Sequence, residues 1–209
     1  NMSSSVEIVK EGTFMYCSGF SGEFEFLSSY KEFGNHAFLG CSNFTGDLVL
    51  RNIKYGSSVF MNCSGIESVD FITNKVCTIN YQTFSGCTGL NNTIRFAPNT
   101  KIGSFAFYRC TGLTGSIQFA PNTRIGSYAF ANCIGIDVPD FTPIVKLSAF
   151  SFSNCTNLKG PIKFSDSIEE IPMGAFYNCI SIESIDIRRI KIIGDESFYN
   201  CTNLIDEIR

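Results

Sequence analysis

The chain reads as a repeat solenoid: about nine coils of 22–24 residues, built from short parallel β-strands joined by tight turns. Three observations predict it. Phe is followed three positions later by Cys nine times, at Phe14/Cys17, Phe38/Cys41, Phe60/Cys63, Phe84/Cys87, Phe107/Cys110, Phe130/Cys133, Phe152/Cys155, Phe176/Cys179 and Phe198/Cys201. The steps between successive Phe are 24, 22, 24, 23, 23, 22, 24 and 22 residues, a period typical of stacked repeat units. Five residues before each Phe, and three after each Cys, every unit is apolar, as at Ile102, Ile125, Leu113 and Ile136. At 44% hydrophobic residues, nine of nine in one column has a chance below roughly one in a thousand, so the period is real.

Within a unit, the residues after Cys alternate in Ile94-Arg95-Phe96, Ile117-Gln118-Phe119, Ile162-Lys163-Phe164 and Ile185-Asp186-Ile187. Period-two alternation predicts a strand with one buried face. Pro98-Asn99 and Pro121-Asn122 then predict turns. A second short strand carries the apolar residue five before Phe. Gly34, Gly56, Gly103, Gly126 and Gly194 follow it, with Asn80 in the same column, and predict backbone at positive φ. Last comes a compact turn, 3₁₀-like or one helical turn, that aims Phe and Cys inward. Some 23 residues cannot close a core alone, so each Phe is expected to lie on the Phe of the next coil. At a strand spacing of about 4.8 Å, nine coils give a rod or arc roughly 40 Å long. In the sixth unit Pro139 falls inside the first strand; it cannot donate to a ladder, so pairing is expected to weaken there.

Units such as Arg124-Ile125-Gly126-Ser127-Tyr128-Ala129-Phe130-Ala131-Asn132-Cys133 resemble the IGxxAFxxCxxL signature of BspA-like, or Treponema pallidum-type, leucine-rich repeats. The resemblance covers essentially all of residues 1–209, as one domain. It is close to variants found in mucosal bacteria and in parasitic protists such as trichomonads. It implies a leucine-rich-repeat right-handed coil, exposed on a cell surface or secreted, that recognises host matrix or cell-surface proteins or other microbes. The family usually has Ile-Pro after the strand, whereas here the chain has Phe96-Ala97-Pro98 or Phe141-Thr142-Pro143. No contact residue carries over, because the shared motif is the core.

Composition excludes several classes. Sixteen Lys and Arg against 19 Asp and Glu give a net charge of −3, which argues against a broad basic surface for nucleic acid. No run of about 18 apolar residues predicts a membrane span, and residues 1–5 lack the basic flank and apolar stretch of a signal peptide. The single His, His36, falls in a variable, exposed column, so neither a Ser/His/Asp triad nor a zinc site can be assembled. No catalytic residue, metal or cofactor is expected. The aligned cysteines read first as buried free thiols donating weakly to turn carbonyls. Disulfides between stacked equivalents are the second reading, with poor Cβ geometry, and metal or redox chemistry the third, with no Cys-x-x-Cys. Cys77 stands outside the pattern. Of the Asn-x-Ser/Thr sites, the Asn-Cys-Ser/Thr ones read as turn caps, and Asn43 and Asn91 as the better glycan acceptors.

The candidate contact surface is the outward column of the first strands: Glu25, Val49, Asp70, Arg95, Gln118, Asp140, Lys163 and Asp186, flanked by Glu23, Asp47, Arg51, Thr93, Ser116 and Arg188. It is expected to form one continuous sheet face that meets a protein ligand. A solvated face with no partner and a small carbohydrate site are the other readings. A second class of function is a structural spacer or an intracellular interaction scaffold. The array starts within a unit and stops early in another, so a piece of a longer chain, or self-association through uncapped ends, is expected.

Overall fold

The computed structural model describes residues 5–23, 29–50, 53–71, 78–137 and 139–205. Among them the chain is a parallel β-solenoid with no helix. We number the coils one to nine by their anchor phenylalanines, from Phe14 to Phe198. Two series of strands alternate. The front series is β2 (Gly22–Glu23), β4 (Phe44–Val49), β6 (Ile66–Asp70), β8 (Ile94–Arg95), β10 (Ile117–Gln118), β13 (Ile162–Lys163) and β15 (Ile185–Asp186). The back series is β1 (Ile8–Val9), β3 (Glu32–Phe33), β5 (Lys54–Tyr55), β7 (Thr78–Ile79), β9 (Lys101–Ile102), β11 (Thr123–Ile125), β12 (Ile144–Lys146), β14 (Glu170–Ile171) and β16 (Ile192–Ile193). Every pairing joins equivalent strands of adjacent coils in parallel, as with Ile117 against Ile94 and Ile125 against Ile102.

The front sheet runs β2-β4-β6-β8-β10 and stops; β13 and β15 form a separate pair. The interruption falls at coil six, where residues 137 and 139–141 hold no strand. Pro139 lacks the N–H a ladder needs, which accounts for the break.

The core is a stack of columns. The nine anchor rings form one unbroken ladder, with centroids 5.2–5.9 Å apart and near-parallel planes, from Phe14–Phe38 to Phe176–Phe198. The spacing exceeds the strand repeat slightly and lies within the range for offset aromatic stacking. A second, shorter ladder joins Phe71, Phe96 and Phe119, at 5.5 and 5.6 Å, on the inner side of the front strands. Ala37, Val59, Ala106, Ala129 and Ala175, one residue before the anchors, are fully buried.

The anchor turn is not helical. In all nine coils the residue two before Phe and the residue two after it have positive φ, from Gly12 and Tyr16 to Glu196 and Asn200. Left-handed residues two either side of Phe preclude a 3₁₀ run. In coil four the N–H groups of Thr83, Ser85 and Cys87 close i→i−3 turns, while those of Gln82, Phe84 and Gly86 donate to Ser104, Ala106 and Tyr108 of the next coil. Local and intercoil bonds therefore alternate, and each N–H in the turn is satisfied. A left-handed non-glycine residue costs about 1–2 kcal/mol, and here the stacking on both sides over-determines it.

The glycine column before the turn has a different cause from the one its sequence suggests. Gly34, Gly56, Gly103, Gly126 and Gly194 are not at positive φ, and neither is Asn80. A Cβ at Gly103 would stand 2.6 Å from the Ile79 carbonyl oxygen, and one at Gly126 would stand 2.8 Å from the backbone of Gly103. At these glycines the backbones of successive coils come too close for a Cβ. The Asn80 amide instead donates to the Tyr55 carbonyl.

Candidate functional site: the front sheet face

The front strands stack in register from coil to coil. Val49 of β4, Asp70 of β6, Arg95 of β8 and Gln118 of β10 are register partners in one row across four coils. Arg95 and Gln118 are exposed, and the Arg95 Nε donates to the Gln118 Oε1 at 3.3 Å. Beside them Thr93 and Ser116 share a hydroxyl hydrogen bond of 3.1 Å. Lys163 of β13 and Asp186 of β15 form a second, separate row. The described members of the row thus meet in two groups. Asp140 joins neither: it lies on no strand, and its carboxylate accepts from the Thr142 N–H at 2.9 Å and the Thr142 hydroxyl at 2.8 Å, which closes a local turn at the break. Glu25 and Arg51 lie outside the described residues, as does Cys77.

Past the second row the face dips into an open cleft of about 480 Å³, lined by Thr142, Lys163, Ser165, Asp166, Asp186, Arg188 and Arg189. The Arg188 Nε donates to the Asp186 Oδ1 at 2.9 Å, and the Arg189 Nε sits 2.8 Å from Asp166. The hydrogen-bonded Arg188 guanidinium, together with the Arg188 N–H, lowers the Asp186 carboxyl to about 2. Such a cleft holds permanent paired charges at neutral pH and can offer hydrogen bonds and charge to a polar partner. Among the described residues, no three His, Cys, Asp or Glu groups converge as metal ligands. His36 is 4.0 Å from Glu11 on an exposed flank.

The nine described cysteines are free. From coil two to coil nine each thiol donates to the anchor-Phe carbonyl of the preceding coil at 3.0–3.2 Å, from Cys41 to Phe14 through Cys201 to Phe176. Burial pushes Cys41 up to about 11 and Cys87 up to about 12, and raises Cys63, Cys110, Cys155 and Cys179 as well. Protonated, enclosed thiols are poor nucleophiles and poor metal ligands. Two of the Asn-Cys-Ser/Thr asparagines, Asn154 and Asn200, join Asn178 in a row of intercoil amide bonds. Asn178 donates to Asn154 at 2.8 Å and Asn200 to Asn178 at 2.6 Å, each at a left-handed position that Asn tolerates. The Asn43 amide donates to the Ser18 carbonyl at 2.6 Å.

Two features of the outer surface were not picked out from the sequence. One is a ladder of partly exposed rings beside the anchors, with Phe105–Tyr128 at 4.8 Å and Tyr128–Phe150 at 4.9 Å. The other is a row of like charges on the back sheet, Lys101, Arg124 and Lys146. Both occupy fixed offsets from the anchor Phe, two and six residues before it, so column alignment carried the signal.

Comparison with known proteins bears on the architecture. A family profile for the BspA type leucine-rich repeat region matches residues 1–114 and 123–208, in six copies. No curated protein matches the chain. Among solved structures, a leucine-rich repeat protein from Bacteroides ovatus is 23% identical over 98% of this chain and 70% of its own, with a TM-score of 0.40. A leucine rich cell surface protein from Faecalibacterium prausnitzii is 17% identical over 96% of this chain and 82% of its own, with a TM-score of 0.33.

Proposed function

The chain belongs to the BspA-type leucine-rich-repeat family, and from that premise we propose that it is a non-enzymatic recognition module, displayed on a cell surface or secreted, that binds a protein ligand through its front sheet face. The observation that carries this reading is the register row Val49–Asp70–Arg95–Gln118. Its residues differ from coil to coil, while the anchor Phe and Cys repeat without exception. A rigid core that never varies under a face that does is the arrangement by which repeat proteins present extended contact surfaces. The cleft past β15 adds paired charges, which set specificity and register in protein interfaces more than affinity.

The ligand class is an extracellular-matrix or cell-surface protein. Binding to a panel of immobilised matrix proteins tests it, with Arg95→Glu and Lys163→Glu variants alongside the unaltered chain. At least one matrix protein binds, and the two reversals weaken it about tenfold or more. Binding that both reversals leave unchanged moves the contact off this face. No binding to any matrix protein, with whole coils deletable at no cost to folding, favours a spacer instead.

A further inference from the structure

The back sheet obeys a rule that breaks in one place. Where charged residues face one another across adjacent coils near its two ends, their signs are opposite. Lys31 lies 2.7 Å from Glu7, Lys54 lies 3.2 Å from Glu32, and Lys191 lies 2.9 Å from Glu169. In coils five to seven the rule inverts. Lys101 of β9, Arg124 of β11 and Lys146 of β12 are register partners, all exposed. None of the three is within ion-pair distance of an acid among the described residues. Like charges directly opposite on neighbouring strands repel, so the row works against folding.

The same three coils carry the outer aromatic ladder. Phe105, Tyr128 and Phe150 stack with interplanar angles of 7° and 9°. Tyr108 meets Phe105 edge-on, and the Arg109 guanidinium lies 5.2 Å above the Tyr108 ring. In coil eight the position is Gly174, where a Cβ would stand 2.1 Å from the Phe150 ring, so the close-packed run ends there. Because each of these rings covers the face of the next, what they turn outward is their edges. An aromatic edge carries partial positive charge, so the ladder presents no negative π-face outward.

We infer that coils five to seven bind a linear anionic polysaccharide, bearing carboxylate or sulfate groups, along the Lys101–Arg124–Lys146 row. Three points select this occupant. Charge complementarity calls for an anion. The row repeats at the strand spacing, about 4.8 Å, close to the advance of one sugar ring along a polysaccharide; an extended acidic peptide returns a carboxylate to the same side only every second residue, roughly 6.6 Å. Single-stranded nucleic acid takes its affinity from bases stacked on open aromatic faces, and the faces of this ladder are already occupied by one another. The back-sheet row is a different surface from the front face, so the two readings stand or fall separately.

The test is a calorimetric titration of the whole chain with polygalacturonate oligomers and with heparin oligosaccharides, against neutral dextran and poly-glutamate, at low and high salt. The expected result is salt-sensitive binding of one or both anionic polysaccharides and no binding of dextran. Replacing Lys101, Arg124 and Lys146 together by Gln lowers that affinity at least tenfold, since each lost charged hydrogen bond is worth about that factor. The single change Arg124→Glu restores alternating sign in the row. It abolishes binding and raises the melting temperature by about 1–3 °C, which shows that the fold is intact. Equal or tighter binding of poly-glutamate overturns the choice of polysaccharide. Failure of both anionic polysaccharides to bind, or binding that survives the triple replacement, overturns the site.

Discussion

The thiol of Cys110 donates to the carbonyl of Phe84, one coil earlier, at 3.1 Å, and that same carbonyl accepts the Cys87 N–H at 3.1 Å. One cysteine therefore ties its own coil to the anchor of the coil before it. Cys110→Ala removes both sulfur packing and the second donor, and is expected to cost about 1–2 kcal/mol. Cys110→Ser keeps a donor of similar reach and should cost less than Ala. Urea unfolding of the two variants decides this, and a Ser variant clearly weaker than Ala would show that the bond contributes little.

Alkali should unfold the protein through these thiols. Cys87 is held up to about 12 by burial, above its unfolded value near 9. A raised acid pKa means that its stabilising effect is complete below the unfolded pKa. It is lost as pH rises toward the folded value, because the unfolded chain releases a proton the native one keeps. Between about pH 9 and 12 the Cys87 thiol lowers stability by about 1.4 kcal/mol per pH unit. Urea midpoints measured from pH 7 to 10.5 should be level at first and then fall; a flat profile throughout would contradict the buried ladder.

The stacked anchors predict a gradient along the axis. Phe107 has no exposed surface and a ring on either side, so Phe107→Ala should cost about 3–5 kcal/mol. Phe198 is only partly buried and stacks on Phe176 alone among the anchors, so Phe198→Ala should cost clearly less. Equal losses in chemical unfolding would argue against stability that is summed coil by coil.

Glycines separate close approach from conformational freedom. Gly126→Ala sets a Cβ against the backbone of coil five and should cost about 2 kcal/mol or more, since a backbone cannot step aside. Gly19→Ala meets nothing within 4 Å at an ordinary φ and should be neutral or slightly stabilising. Thermal melts of the pair distinguish the two cases.

At the front cleft, Arg188→Ala should return the Asp186 carboxyl from about 2 toward the ordinary value near 4, because the guanidinium is the main cause of the shift. Asp186 is half-buried and its partner Arg188 is exposed, so solvent screens the pair and stability at neutral pH should change little. A carboxyl-carbon NMR titration reads the shift directly, and an unmoved pKa would mean that the pair does not hold in solution.

The repeat period, the inward Phe and Cys columns, the anchor ring stack, the free thiols bonded to turn carbonyls and the weak sixth strand all follow from the amino-acid sequence. Each is a property of one coil, read along the chain and then repeated. What only the tertiary structure decided concerns the distance between coils. Gly126 reads as a turn former until the backbone of Gly103 is seen 2.8 Å from where its Cβ would be. Tyr128, a bulky residue, sits at a φ of 56°, held by its N–H bond to Ala149 of the next coil and by the Phe105 and Phe150 rings on either side, which no local propensity encodes. Asp140 alternates as a strand residue should, yet closes a turn once Pro139 ends the ladder. Lys101, Arg124 and Lys146 are scattered charges in a chain of net −3, and become one surface only when axial stacking places residues 22–23 apart side by side. Periodicity specifies which way a side chain points; only packing along the axis specifies what it points beside.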